Sequence, residues 1–329
     1  MKKILWLGIL SCWSYGHSYG HSLGYSGTDL IDGRNITIPA DHETVINTPI
    51  PIAGTIDGNN TGTLTLNGDA YLGATSGLIN GIKINGNNKT LHLLGNNTLA
   101  TRNIIFINSS LIIDGHNNIV DLNGTRFYIN GESGTTLTLK NMTLYGLRGV
   151  EGADATFRFS NTIGQKVILE NVTLYLIDNC TFTGGALDIS GTVSLIGDYH
   201  FKYRSSADCT IKKASTLQLD MHVTFDYEPA DLLATHLKFT DLTSTLFLRG
   251  GTLFVPSNTG LNLIKGHLVV DHKSYAAQNW ISPNFGTRNG RINMGDGRDI
   301  ANNMAIDILP GGQLITQAAA LNYGIVDAS

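Results

Sequence analysis

Ile56-Asp57-Gly58-Asn59-Asn60 returns as Ile84-Asn85-Gly86-Asn87-Asn88, and again as Ile113-Asp114-Gly115-His116-Asn117-Asn118. A weaker copy, Ile31-Asp32-Gly33-Arg34-Asn35, precedes them. Self-similarity at a spacing of roughly 20–50 residues marks a repeat architecture. Two further families agree. Leu139-Lys140-Asn141-Met142-Thr143-Leu144-Tyr145 recurs as Leu169-Glu170-Asn171-Val172-Thr173-Leu174-Tyr175. The segment 194–203 maps onto 216–225.

Each unit consists of short alternating runs, such as Thr63-Leu64-Thr65-Leu66 and Thr136-Leu137-Thr138-Leu139, bounded by Asn, Gly and Asp. Such runs read as strands, and Asn and Gly tolerate the left-handed backbone of tight corners. No amphipathic helix of useful length separates the strands, so the usual βαβ crossover is missing. Parallel strands then recur only by coiling. The expected fold is all-β: a single-stranded parallel β-helix (β-solenoid) with coils of roughly 20–30 residues, stacked at about 4.8 Å per coil. About ten coils would make a rod about 50 Å long.

Composition agrees with this. Only 15% of the 329 residues are charged, the hydrophobic fraction is 42%, and there are 38 Gly against 7 Pro. A formal net charge of −4 leaves no basic footprint, which argues against nucleic acid as a partner. Met1-Lys2-Lys3 followed by the apolar stretch Ile4 to Leu10 and then small residues reads as a secretory signal peptide over residues 1–22. A lipoprotein reading through Cys12 is the rival. Both place the chain outside the cytoplasm: secreted, periplasmic or at the cell surface. No stretch of the mature chain is apolar enough over about 20 residues to span a membrane as a helix. Residues 23–52 are expected to form an N-terminal segment or cap, 53–273 the coils, and 274–329 an irregular loop and capping strands. Of the three Cys, Cys180 and Cys209 remain after cleavage. They read as a disulfide or as two buried thiols.

The Ile-Asp-Gly-Asn-Asn corners, the Leu-x-Asn-Val-Thr-Leu runs and Asn179-Cys180-Thr181-Phe182 together resemble the right-handed parallel β-helix proteins of the pectin-lyase-like superfamily. The resemblance covers roughly residues 28 to 270. It implies a right-handed coil and a ladder of corner Asn residues stacked inside it, for which Asn60, Asn88 and Asn118 are the candidates. It also implies an outer face on which the pectin-cleaving members carry carboxylates from neighbouring coils. Their signatures are only partly present: Gly115-His116 lacks a following Gly, Arg291-Ile292-Asn293 keeps two of three residues, and Val269-Val270-Asp271-His272 lacks the Trp.

One chemical constellation comes from the residues themselves. If 194–203 lies over 216–225, Tyr199, Phe201 and Tyr203, and likewise Met221, Val223 and Phe225, point inward, because strand side chains alternate faces. Asp198, His200, Asp220 and His222 then point outward, with each pair stacked about 4.8 Å apart. Such a set suits a divalent metal or a ligand, or is simply a stacked solvent face. No catalytic residue is assigned and no cofactor is implied beyond that metal. The functional expectation is a non-catalytic structural, adhesive or glycan-binding protein. Its partner would be a polysaccharide, a surface glycan, or an envelope or host surface protein. A polysaccharide lyase or glycoside hydrolase is the alternative.

Overall fold

The computed structural model describes residues 62–72, 81–99, 103–150, 154–160, 164–233, 235–255 and 260–271. It also describes strand segments at 23–25, 36–37, 43–46, 50–52, 56–57, 78–79, 275–278, 291–294 and 305–308. The signal segment, Cys12, Asn60 and His272 lie outside the described residues.

The chain winds as an all-β parallel solenoid of the right-handed type. Each turn has three sides. On the first face Glu43–Ile46 pairs with Thr63–Leu66, which pairs with the start of Lys83–Leu93. Further along the same face His200–Tyr203 pairs with Thr224–Tyr227. On the second face Ala70–Leu72 pairs with the end of Lys83–Leu93, and Leu111 to Asp114 with Leu137 to Lys140. On the third, Thr192–Ile196 pairs with Thr216–Leu219, then Thr245–Leu248, then His267–Val270. Every pairing is parallel. The segments expected to cap the rod continue it: Glu43–Ile46 and Ile50–Ile52 stack on the next coil, and Tyr275–Gln278, Arg291–Met294 and Ala305–Ile308 stack on the last ones.

Three-sidedness explains the Ile-Asp-Gly-Asn-Asn repeat. Ile56 lies on the third face, Ile84 on the first and Ile113 on the second. The step from one copy to the next is therefore one turn plus one side, and the motif marks successive corners rather than successive coils. The second repeat family is true stacking: Leu139 pairs with Leu169 and Tyr145 with Tyr175.

Alternation fills the interior. Leu, Ile, Val and Phe from all three faces are almost fully buried in one continuous core running from Ile46 to Val270. Along the first face the large side chains line up as Phe127, Phe157, Phe182, Tyr203 and Tyr227, with ring centroids 5.9–6.3 Å apart. The two hydroxyls that would be orphaned in this stack donate to backbone carbonyls, Tyr203 to Ala207 and Tyr227 to Leu233. Cys180 and Cys209 are free and buried. Burial pushes the Cys180 thiol up to about 12 and raises Cys209 as well, so both act as small apolar side chains.

The Asn ladder exists, but not through the expected residues. Asn88 sits at the corner between the first and second faces, is exposed and has φ 60°. Asn118 sits a side further on, and its amide donates to the Leu93 and Gly115 carbonyls. Different corners cannot stack. The corner between the first and second faces pairs Asn87 with Asn67 (3.4 Å), and the corner between the second and third faces also repeats Asn in register. There Asn171 donates to Asn141 (3.5 Å), Asn141 donates to Asp114 (3.2 Å), and the Thr192 N–H donates to Asn171 (3.1 Å). Asn141 and Asn171 both hold left-handed φ, 51° and 54°.

Candidate functional site

The expected Asp198/Asp220 and His200/His222 ladder does not form. His200 stacks on Thr224, and Ser194 on Gln218, so the coil here is two residues longer than the step between the matching sequence segments. A two-residue slip preserves the side-chain alternation, which is why Phe201, Tyr203, Val223 and Phe225 are buried as expected. Asp198 and His222 instead lie in corners. Tyr199 and Met221, read as inward, are 37% and 57% exposed. His222 has φ 70°, and Asp220 accepts from Gln218 and lies 3.8 Å from Arg249.

What His200 does meet is Asp226, whose Oδ2 lies 3.0 Å from its Nδ1. Asp226 is 2% exposed and also faces Lys202, which with Arg204 reaches Glu228 at 3.9–4.0 Å. Burial raises the Asp226 carboxyl, and the nearby His200 and Lys202 offset only part of that. A second histidine has carboxylates on both ring nitrogens: His236 lies 3.1 Å from Asp208 and 2.9 Å from Asp231, while Lys238 donates to Asp208 at 2.7 Å.

These carboxylates predict an acid response. Burial works to raise Asp208, but the hydrogen bonds from Lys238 and His236 outweigh it and hold the carboxyl below its ordinary range. A depressed folded value contributes stability above about pH 4 that is lost as pH falls through the folded value. Asp226 acts with the opposite sign, because its raised value leaves the folded state holding a proton as pH climbs past about 4. The unfolding midpoint of the wild type is expected to drop between roughly pH 4 and pH 2. Asp208→Asn should flatten that drop, and an unchanged pH profile in the variant would contradict the assignment.

A concavity lies on the corner between the third and first faces. It is about 500 Å³ and is lined by Arg126, Arg148, Asp154, Thr156 and Asp178, with Gly149 at its edge. Arg126 lies 3.4 Å from Asp154. Thr156 ties the two sides of the corner together: its hydroxyl donates to the Arg148 carbonyl at 2.9 Å and accepts from the Arg148 N–H at 3.2 Å. Three residues before Arg148 and Asp178, at most about 11 Å along the chain, stand Tyr145 and Tyr175. They are partners across adjacent coils, 39% and 38% exposed, with ring centroids 4.9 Å apart. An exposed pair of aromatic rings thus stands three residues along the chain from a cleft carrying two guanidinium groups, two carboxylates and a hydroxyl.

The second repeat family contains Tyr145 and Tyr175, and alternation could have marked them as outward. The cleft had no such signal, because its members come from four separate stretches of chain.

Comparison with protein-family models, characterised proteins and solved structures found no match. The class rests on the strand pairing: a parallel β-solenoid. Among the described residues no helix is long and apolar enough to cross a membrane.

Proposed function

We propose that this chain is a secreted or cell-surface, non-catalytic β-solenoid of the pectin-lyase-like kind that binds glycans at the corner between its third and first faces. The exposed Tyr145–Tyr175 pair, three residues along the chain from the arginine-lined cleft, carries this reading. Exposed aromatic faces that are locked in a rigid stack give a sugar ring apolar contact at little entropic cost. Arg126, Arg148, Asp154, Thr156 and Asp178 supply the donors and acceptors that sugar hydroxyls need. The partner is a polysaccharide or surface glycan, and the rod presents it on a stiff scaffold.

Affinity electrophoresis of the purified chain against neutral and uronate-containing polysaccharides tests this. Binding to at least one is expected, weakened about 10-fold or more in Tyr145→Ala/Tyr175→Ala, the equivalent of about 1.4 kcal/mol. Equal binding by wild type and double variant would remove the site.

The hydrolase alternative has its own observation in Asp226, a buried carboxyl beside a half-exposed His200. A raised carboxyl is what a general acid requires. Following new chain ends over time decides between them. Cleavage lost in Asp226→Asn would establish the enzyme; retention of glycan without new ends supports the binding role.

A further inference from the structure

The outward column of the second face reads Tyr71, His92, Asp114, Lys140, Glu170 over successive coils, each in register with the next. Two residues past Asp114 the chain turns the corner and brings His116 back over His92, with His116 at φ 49°. The result is a cluster assembled from two coils. His92 Nδ1 faces His116 Nε2 at 2.9 Å, and a carboxylate oxygen of Asp114 completes a trio whose donor atoms all lie within 4.8 Å of one another.

His92 and Asp114 are held from behind. Tyr71 stacks flat on the His92 ring, 4.4 Å between centroids at 9°. The other nitrogen of His92, Nε2, faces the Asp69 carboxylate at 3.9 Å, and Asp69 is itself held by the Thr90 N–H at 2.8 Å. Asp114 is 6% exposed and accepts from the His116 N–H and from Asn141. Lys140 lies 3.3 Å from its second oxygen. At 3.9 Å the Asp69 carboxylate is an electrostatic neighbour of His92 rather than its hydrogen-bond acceptor; a closer approach would give the carboxylate–imidazole pairing that orients metal-binding histidines.

We propose that His92, His116 and Asp114 bind a divalent transition-metal ion, with Asp69 positioning His92 from behind. Two imidazoles and one carboxylate suit Zn2+, Ni2+ or Cu2+ rather than Ca2+ or Mg2+, which take oxygen ligands. Two nitrogens 2.9 Å apart subtend about 90° at an ion bound at about 2.05 Å, a tetragonal or octahedral angle. An increase of about 0.4 Å in their separation would give a tetrahedral one. Exposed His116 leaves the remaining coordination positions open to water or to a ligand atom. The site lies on the second face and is separate from the proposed glycan cleft.

The test is calorimetric titration of the tag-free, chelator-treated chain with ZnCl2 and with NiCl2. One ion per chain is expected, with a rise in the unfolding midpoint. His92→Gln and His116→Asn should each weaken binding by at least about 10-fold. Asn is chosen at position 116 because it tolerates left-handed backbone. Asp69→Asn should weaken it by about 10–100-fold without changing the metal-free midpoint. His200→Gln should leave binding unchanged. The proposal is overturned if no saturable binding occurs, or if the His92→Gln/His116→Asn double variant binds as the wild type does; the two rings would then form only a hydrogen-bonded pair.

Discussion

Phe182→Ala is expected to destabilise the solenoid by about 3–5 kcal/mol, read as a lower urea midpoint in far-ultraviolet circular dichroism. Phe182 is fully buried, and its ring touches three others: Phe157 at 6.1 Å, Phe159 edge-on at 5.3 Å and Tyr203 at 5.9 Å. Removing it takes a rung from the middle of a five-ring stack. The rungs on either side are held at the coil spacing by backbone hydrogen bonds and cannot close the gap. The cavity term therefore adds to the lost transfer energy. Tyr203→Phe keeps the rung and deletes one hydroxyl along with its bond to Ala207, so it should cost only about 1 kcal/mol. If the two variants unfold at the same denaturant concentration, the ring stack is not what holds these coils together.

That stack was legible only in part before the structure. Alternation alone points Tyr203 inward, together with Phe201 and Phe225, which form a separate pair. Alternation is robust because a slip of two residues leaves every side chain on its original face. The same robustness hid the error on the outer face. Laying 194–203 over 216–225 and using the true, two-residue-longer coil predict the same interior but different stacked neighbours outside. His200 was therefore matched to His222 when it lies over Thr224. A surface site depends on register and an interior does not.

The histidine cluster shows the limit more sharply. Leu91-His92-Leu93 announces an outward histidine, and His116 stands in a corner motif. The two are 24 residues apart, whereas the motif copies around them are spaced more widely because each copy moves one side further around the turn. Pairing His92 with His116 required knowing that each turn has three sides. The Asn ladder follows the same rule. The corner motif that looked most repetitive falls on three different corners, whereas Asn141 and Asn171, 30 residues apart in a less conspicuous repeat, stack directly.

The proposed glycan cleft hangs on one backbone position, and changing it should have the second large effect. Gly149 has φ +100°, and a Cβ built there would lie 1.9 Å from the Asp154 carbonyl oxygen and 2.5 Å from its carbon. Two backbone segments touch at this point, and Asp154 is the residue whose carboxylate faces Arg126. Gly149→Ala therefore carries two penalties. The unfavourable backbone conformation costs about 1–3 kcal/mol, and the clash must be relieved by moving the Asp154 backbone away from Gly149. Gly134→Ala separates them, because Gly134 has a similar φ of +86° with nothing within 4 Å of its Cβ position. The alanine at 134 should lower the unfolding midpoint and leave glycan retention unchanged. The alanine at 149 should lower the midpoint further and also abolish retention, since Arg126 and Arg148 lose their common frame. Retention by Gly149→Ala at the level of Gly134→Ala would mean that sugar is held by Tyr145 and Tyr175 alone, with the cleft a bystander at the bend of the coil.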